Sequence, residues 1–480
     1  MDVALPDSQV RRARILELDK EIGLLRQRLE QLQDERTVLL DSLSFPILTL
    51  PTEITAEIFA WTLPRTPRDP RSSDAPLLLT RICQQWRNIA LSIPQLWTTV
   101  SFPADEIAAR SPARDYLLDF WLTQSQLFGL SIHIHHLNDD RYPDDEAHES
   151  IDTCLDIILR HASRWHNASF KLLFQCLGKL QDIRPDGDFP LLQHLVIGVD
   201  SSSDEYDGPD VLTFTSAQQL QSVEMLIGYA SLSTVALPYL QLTRITCRSV
   251  TVQELCTVLC RSPNLVDGVF VLCAGGDLNH ASPPPQLCLK ALALRAGDTA
   301  GPHLIRALGS LTLPVLETLE ISDFDDHGLL AVHSFLQRSS CKIHTFSYST
   351  RGTAPHDEQH FFDCLAQMPL LWTLRVHHQS ATPCTTLILR LGADLDLVPD
   401  LRILSVSCRT RPVGEFPFDG VVDMLALRSN SNRHTRLDRF ELFVPGSAGM
   451  LERSQINELV QAGMHICLGE GHPPWVTSPE

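Results

Sequence analysis

The chain has 480 residues with 44% hydrophobic and 20% charged side chains and a formal net charge of -19, a composition for a folded protein too long for one core. The acidic balance, with no dense Lys/Arg block to offset it, argues against nucleic acid as a partner, and no apolar run approaches the roughly 18 residues a membrane span needs. Thirteen scattered cysteines and a start, MDVALPDSQVRRARILELDKE, without a secretory apolar core lead to an expectation of free thiols in a reducing compartment, cytoplasmic or nuclear.

Residues 1–13 carry no periodic pattern and are expected to be disordered. Over 14–45, Ile15, Leu18, Ile22, Leu25, Leu29, Leu32, Arg36, Leu39 and Leu43 alternate spacings of three and four, as in a coiled-coil seam. A single amphipathic helix is the alternative, because Arg36 interrupts the seam, so self-association stays open here.

The stretch LPTEITAEIFAWTLP follows, residues 50 to 64. Pro51 and Thr52 suit a helix start, Ile54, Ile58 and Trp61 repeat at four and three on one face, and Pro64 prevents continuation. After an exposed RTPRDPRSSDAP loop, Leu78, Ile82, Trp86 and Ile89 recur at helical spacing before Pro94, and Trp97 closes the unit, which is predicted to span 46–102. Three short helices in about fifty residues make a small core that needs a neighbour.

Beyond residue 102 the pattern changes to short alternating runs separated by helix-like pieces. A template of apolar residues at positions one, four and six fits ten times, starting at Leu192, Leu220, Leu242, Leu265, Leu289, Leu316, Ile343, Leu371, Leu401 and Leu437. Weaker copies start at Trp97, Leu127 and Trp165. Those positions are apolar in 29 of 30 cases, Gly268 being the exception, while the interleaved positions are polar in 21 of 30, the alternation of a strand with one buried face. Spacings of 22 to 36 residues predict an α/β solenoid over 103–445, with parallel strands lining a concave face and helices on the convex face. A cap helix and tail are expected over 446–480.

In order and type, Leu50-Pro51-x-Glu53-Ile54, Ile58-Phe59, Leu63-Pro64, Ile82-Cys83, Trp86-Arg87, Ala90 and Leu96-Trp97 resemble the F-box of proteins that carry C-terminal leucine-rich repeats, especially a large and divergent fungal group. The chain departs from that pattern in its long loop after Pro64 and in lacking the asparagine ladder of the repeats. The resemblance implies no catalysis by this chain. It implies an F-box that docks a Skp-type adaptor, through it a cullin-RING ubiquitin ligase, and repeats that hold an unidentified protein substrate. Leu50, Pro51, Ile54, Ile58 and Phe59 would then seat in the adaptor, with Ile82, Trp86 and Trp97 as the F-box core. A repeat scaffold with a structural F-box-like unit, outside any ligase, is the alternative.

No motif supports an enzyme or a cofactor. Cys256 and Cys260 lie one helical turn apart with no second pair at metal-ligand spacing, and of His133, His135 and His136 in SIHIHH at most two can share a strand face, so no metal is expected. The glycine-rich CAGGD and GEGHPP lack the strand and helix context of a phosphate loop. On the solvent side of the strands, Arg244, Arg248, Arg295, Arg375, His377 and Arg439 form a row that could read an acidic or phosphorylated segment or simply keep the face soluble.

Overall fold

The structure, a computed structural model, describes residues 6–43, 47–67, 70–103, 112–135, 145–172, 180, 189–199, 212–226, 232–275, 283–297, 301–324, 328–350, 358–410, 416–429, 436–445 and 454–469. It comprises two compact units, 1–65 with 71–96 and 66–70 with 97–480.

The first unit opens on α1 (Pro6–Leu43). Helix therefore begins well before residue 14, and Pro6 is tolerated because the first turn has no intrahelical partner for its missing N–H. A 3-10 turn (Ile47–Thr49) leads through Pro51, extended at φ -52° and ψ 145°, into α2 (Thr52–Trp61). Next come α3 (Leu79–Ile82) and α4 (Gln84–Ser92), separated by the extended Cys83, whose sulfur accepts the Trp86 amide at 3.5 Å. Packing of α2 and α3 on α4 buries Phe59, Leu79, Ile89, Ala90 and Leu96.

The second unit is built on one fourteen-stranded, wholly parallel sheet whose strands follow one another in chain order. They are β1 (Thr99–Pro103), β2 (Leu130–His135), β3 (Trp165–Leu172), β4 (His194–Val199), β6 (Ser222–Leu226), β8 (Arg244–Val250), β9 (Asp267–Leu272) and β10 (Ala291–Ala296). The series continues through β11 (Thr318–Phe324), β12 (Thr345–Thr350), β13 (Thr373–His378), β14 (Ile403–Cys408), β15 (Arg439–Phe443) and β16 (His465–Gly469). Two residues each, β5 (Leu212–Thr213) and β7 (Val235–Ala236), pair separately. Between the strands lie α5 (Pro112–Gln124), α6 (Asp145–Leu159), α7 (Val252–Arg261), α8 (Gly301–Ser310), α9 (Gly328–Ser339), α10 (Glu358–Ala366), α11 (Ala381–Ala393) and α12 (Phe418–Ser429), with α13 (Ser454–Gln461) before β16. Packing of helix on sequential helix, as in α8 on α9 and α11 on α12, is the arrangement of a solenoid-like α/β fold.

All ten secure repeat starts are buried, and each precedes its strand by two residues. Gly268, the exception in the pattern, is filled by its own repeat: a Cβ there would lie 2.8 Å from the Phe270 ring. The residue after each buried start from Leu192 to Leu401 supplies a carbonyl that accepts two amides from the next repeat. Gln221 O takes Thr243 and Arg244, Thr243 O takes Val266 and Asp267, and the column runs on to Arg402 O with Asp438 and Arg439, at 2.8 to 3.1 Å.

Three expectations change. Trp97 lies in the second unit, packed edge-on against Phe120 and Trp121 of α5 at 5.6 and 5.0 Å, because it is the first buried start of the repeat series and β1 pairs with β2. Leu127 is exposed and its register is two residues out, since Thr99 pairs with Ser131. The repeats also continue past residue 445 into β16, which the Gly463 turn (φ +93°) introduces with no leucine to signal it.

Arginines close several helix ends, where the last carbonyls lack intrahelical partners. Arg164 donates to Leu122 O and Phe128 O after α5, and Arg338 to Leu308 O and Leu311 O after α8. Arg428, 4% exposed, donates to the carbonyls of Leu391, Asp394, Leu397 and Val398 after α11. Burial pulls its guanidinium down to about 10, against the charge of Asp394. Replacing it with alanine strands several buried acceptors, at a cost of about 2 to 4 kcal/mol. Arg428→Ala is expected to lower the urea midpoint and speed amide exchange in α11, and unchanged exchange there would refute the capping role.

Candidate functional surfaces

In the first unit, α2 is amphipathic with its apolar stripe outward. Thr55 and Phe59 face the core, Phe59 fully buried with its ring 5.0 Å from that of Trp86, which is itself half-buried. Ile54, Ile58 and Trp61 are 50%, 38% and 77% exposed, and Leu48 and Ile82 are about half exposed as well. Pro51 is exposed and Leu50 half-buried. Of the residues expected to dock an adaptor, Phe59 is thus corrected to core, because the turn of α2 that meets α4 must bury its largest side chain. Ile82 is corrected from core to surface, since α3 ends there and the chain extends at Cys83. Trp61, left outside the docking set by sequence reasoning, belongs to the same stripe and donates its indole N–H to Glu57 at 3.0 Å.

The stripe rests on a fixed base. Gln85 Nε2 donates to Leu48 O at 3.0 Å, Thr55 Oγ1 to Pro51 O at 3.2 Å, and Arg87 Nε to Thr80 O at 2.6 Å. The first ties the 3-10 turn to α4, the second braces the start of α2 on itself, and the third joins α4 to α3.

In the second unit, the parallel register sets the side chains of the open sheet face in rows. One runs Arg244, Asp267, Ala291, Thr318, Thr345, Thr373, Ile403, Arg439 and His465. The next ends Ser347, Arg375, Ser405, Glu441 and Cys467. His377 sits beside Ser407, its Nδ1 2.7 Å from the Ser407 hydroxyl.

Most of the arginine row is already engaged by carboxylates one strand away or two residues along. Arg244 Nε lies 3.1 Å from Asp267, Arg295 Nη2 2.8 Å from Glu320, and Arg439 Nε 2.7 Å from Glu441. Arg248 is exposed just before the bulge at Ser249. Arg375 makes no hydrogen bond or salt bridge among the described residues. The row therefore narrows, as an anion reader, towards Arg375.

Around it lies a buried polar cluster of which the sequence pattern singled out only His377. Ser405 Oγ donates to Glu441 at 2.7 Å, and Ser405, Ser407, His377 and Glu441 are all less than 9% exposed. Burial pushes the Glu441 carboxyl up, but the hydrogen bonds from Ser405 and Arg439 and the charges of Arg439 and Arg375 outweigh it, leaving the group below its ordinary value. The only hint in sequence is that Ser405, Ser407 and Glu441 occupy interleaved strand positions.

His133 and His135 share the open face of β2, where burial and the neighbouring charges of His135 and Lys171 hold His133 below its usual value; His136 lies outside the described residues. Cys256 is buried in α7 and its thiol pushed up by burial, while Cys260 is exposed. Among the described residues no group of three or more His, Cys, Asp or Glu is placed to hold a metal, and no helix is long and apolar enough to cross a membrane. CAGGD and GEGHPP fall partly outside the described residues.

No family model matches the chain, and no curated protein matches it.

Because the Glu441 value is depressed in the fold, its contribution is present above the ordinary glutamate value of 4.5 and is lost as pH falls through the folded one. Glu441→Gln is expected to flatten the acid limb of the stability profile, measured by urea unfolding across acid pH. An acid limb as steep as that of the unaltered protein would show that Glu441 is not a stabilising anion.

Proposed function

We propose that the chain is the substrate-recruiting subunit of a Skp-cullin-F-box ubiquitin ligase. In this reading the three-helix unit is the F-box and docks a Skp-type adaptor, and the open face of the sheet holds a protein substrate. The observation that carries it is the outward stripe of Ile54, Ile58 and Trp61 on α2. A short helix that buries only Thr55 and Phe59 against its own unit and turns Ile54, Ile58 and Trp61 to water is built to complete its core in a partner groove. The ordered match of residues 50 to 97 to the F-box pattern supports the same reading, as does the length of uninterrupted strand face that follows.

The adaptor-binding set becomes Leu50, Pro51, Ile54, Ile58 and Trp61, with Phe59 and Trp86 supporting it from within. On the sheet, Arg375 is the favoured recognition residue, because the charges of Arg244, Arg295 and Arg439 are spent on Asp267, Glu320 and Glu441 and His377 is buried against Ser407. A substrate segment bearing one acidic or phosphorylated group would suit the cation at Arg375.

The test is co-purification of the full chain with a Skp-type adaptor. Ile54→Glu/Ile58→Glu alters exposed side chains, so the fold should survive while binding falls by about 2 kcal/mol or more, roughly thirtyfold. Phe59→Ala should instead cost folding stability, about 3 to 5 kcal/mol. Absence of adaptor binding by the intact, folded chain would retire the ligase reading in favour of a repeat scaffold.

A further inference from the structure

Helix α1 runs 38 residues, and its apolar seam is left exposed among the described residues. Ile15, Leu18, Ile22, Leu25, Leu29, Leu32 and Leu39 are all between 41% and 63% exposed. Written as heptads, Ile15, Ile22, Leu29 and Arg36 fall at position a and Leu18, Leu25, Leu32 and Leu39 at position d. An isolated helix gains little stability from propensity alone, so this seam calls for a second helix.

We propose that α1 joins two copies of this chain in a parallel, in-register, two-stranded coiled coil. The charges flanking the seam fit that geometry and set its register. The g positions are Arg14, Glu21, Arg28 and Glu35, and the e positions Asp19, Arg26 and Gln33. In register, each g side chain faces the e position five residues on in the second copy. Arg14 then meets Asp19, Glu21 meets Arg26, and Arg28 meets Gln33, each pair attractive or neutral and each made twice.

A slip of one heptad sets Arg14 against Arg26 and Glu21 against Asp19. Antiparallel pairing with full overlap keeps favourable flanking charges but puts Arg36 opposite Arg11 in the seam. In the parallel dimer Arg36 faces Arg36 of the second copy, and Glu35 of each copy, whose e neighbour Leu40 is apolar, borders the same layer and is available to offset the two cations. Isoleucine at a with leucine at d favours two strands, and a single charged a position sets register at some cost in affinity. Within one chain, Arg14 rests on Glu17 at 2.7 Å. That pair is largely exposed and yields readily to a partner across the seam.

The dimer would present two open sheet faces and two α2 stripes in one particle, so a substrate or ligase bearing two sites would be held with raised effective concentration. This inference does not depend on the ligase reading.

The experiment is sedimentation equilibrium of the full chain, alone and as charge variants, with circular dichroism confirming that each stays folded. The unaltered protein should be a dimer. Glu21→Arg and Arg26→Glu should each weaken it by roughly fivefold or more, through two lost attractions replaced by repulsions. The double variant E21R/R26E should regain the original affinity, and the two single variants mixed should prefer each other. An antiparallel pair faces Glu21 with Arg28 and Arg26 with Asp19, so the double variant would be weaker than either single one. That result, or a monomer at every concentration, would overturn the proposal.

Discussion

A column of main-chain carbonyls holds the second unit in step. From Gln193 to Arg402 one oxygen per repeat accepts two amides from the repeat that follows, directly after the buried residue that opens each copy. Every strand must therefore begin at the same height as its neighbour, whatever the length of chain between them. That is how spacings of 22 to 36 residues are absorbed without a break in register. An asparagine ladder, absent here, is replaced in this role by backbone groups that any residue can supply.

Uniform height has a consequence for the open face. Residues two apart in one strand fall into the same rows as residues two apart in the next, so polarity accumulates along lines that no local pattern describes. Arg439 and Glu441 belong to a single strand, yet their environment is completed by Ser405 and Arg375 from the two strands before it. The same stepping brings Arg338 and Arg428 to the ends of the preceding helices, where a guanidinium can satisfy several carbonyls at once. These arginines read as ordinary basic residues near helix ends in the sequence.

The first unit follows the opposite logic. Its small three-helix core cannot bury all that its helices carry, and α2 commits Phe59 to the contact with Trp86 while leaving its isoleucines and Trp61 outside. Helix α1 carries the same imbalance further, with a whole seam in water. Both surfaces are proposed as partner sites for one physical reason: apolar groups at regular spacing remain exposed although a neighbouring part of the same small unit is well packed.

Much of this was already determined by sequence. The strand starts follow from buried leucines and period-two alternation, and the helix α1 from its heptads, because such patterns report which side of an element must leave water. What the sequence left undecided is direction and company. Phe59 and Ile58 are adjacent and equally apolar, but only the crossing of α2 on α4 sends one inward and the other out. Trp97 follows the three helices in the chain yet packs with α5, because its strand pairs forward. Arg244, Arg295 and Arg375 look alike in a list of strand positions, and only the parallel register gives the first two an acidic neighbour. Periodicity is a property of one segment and survives in the sequence; contacts between segments are set by register and packing, which exist only once the chain has folded.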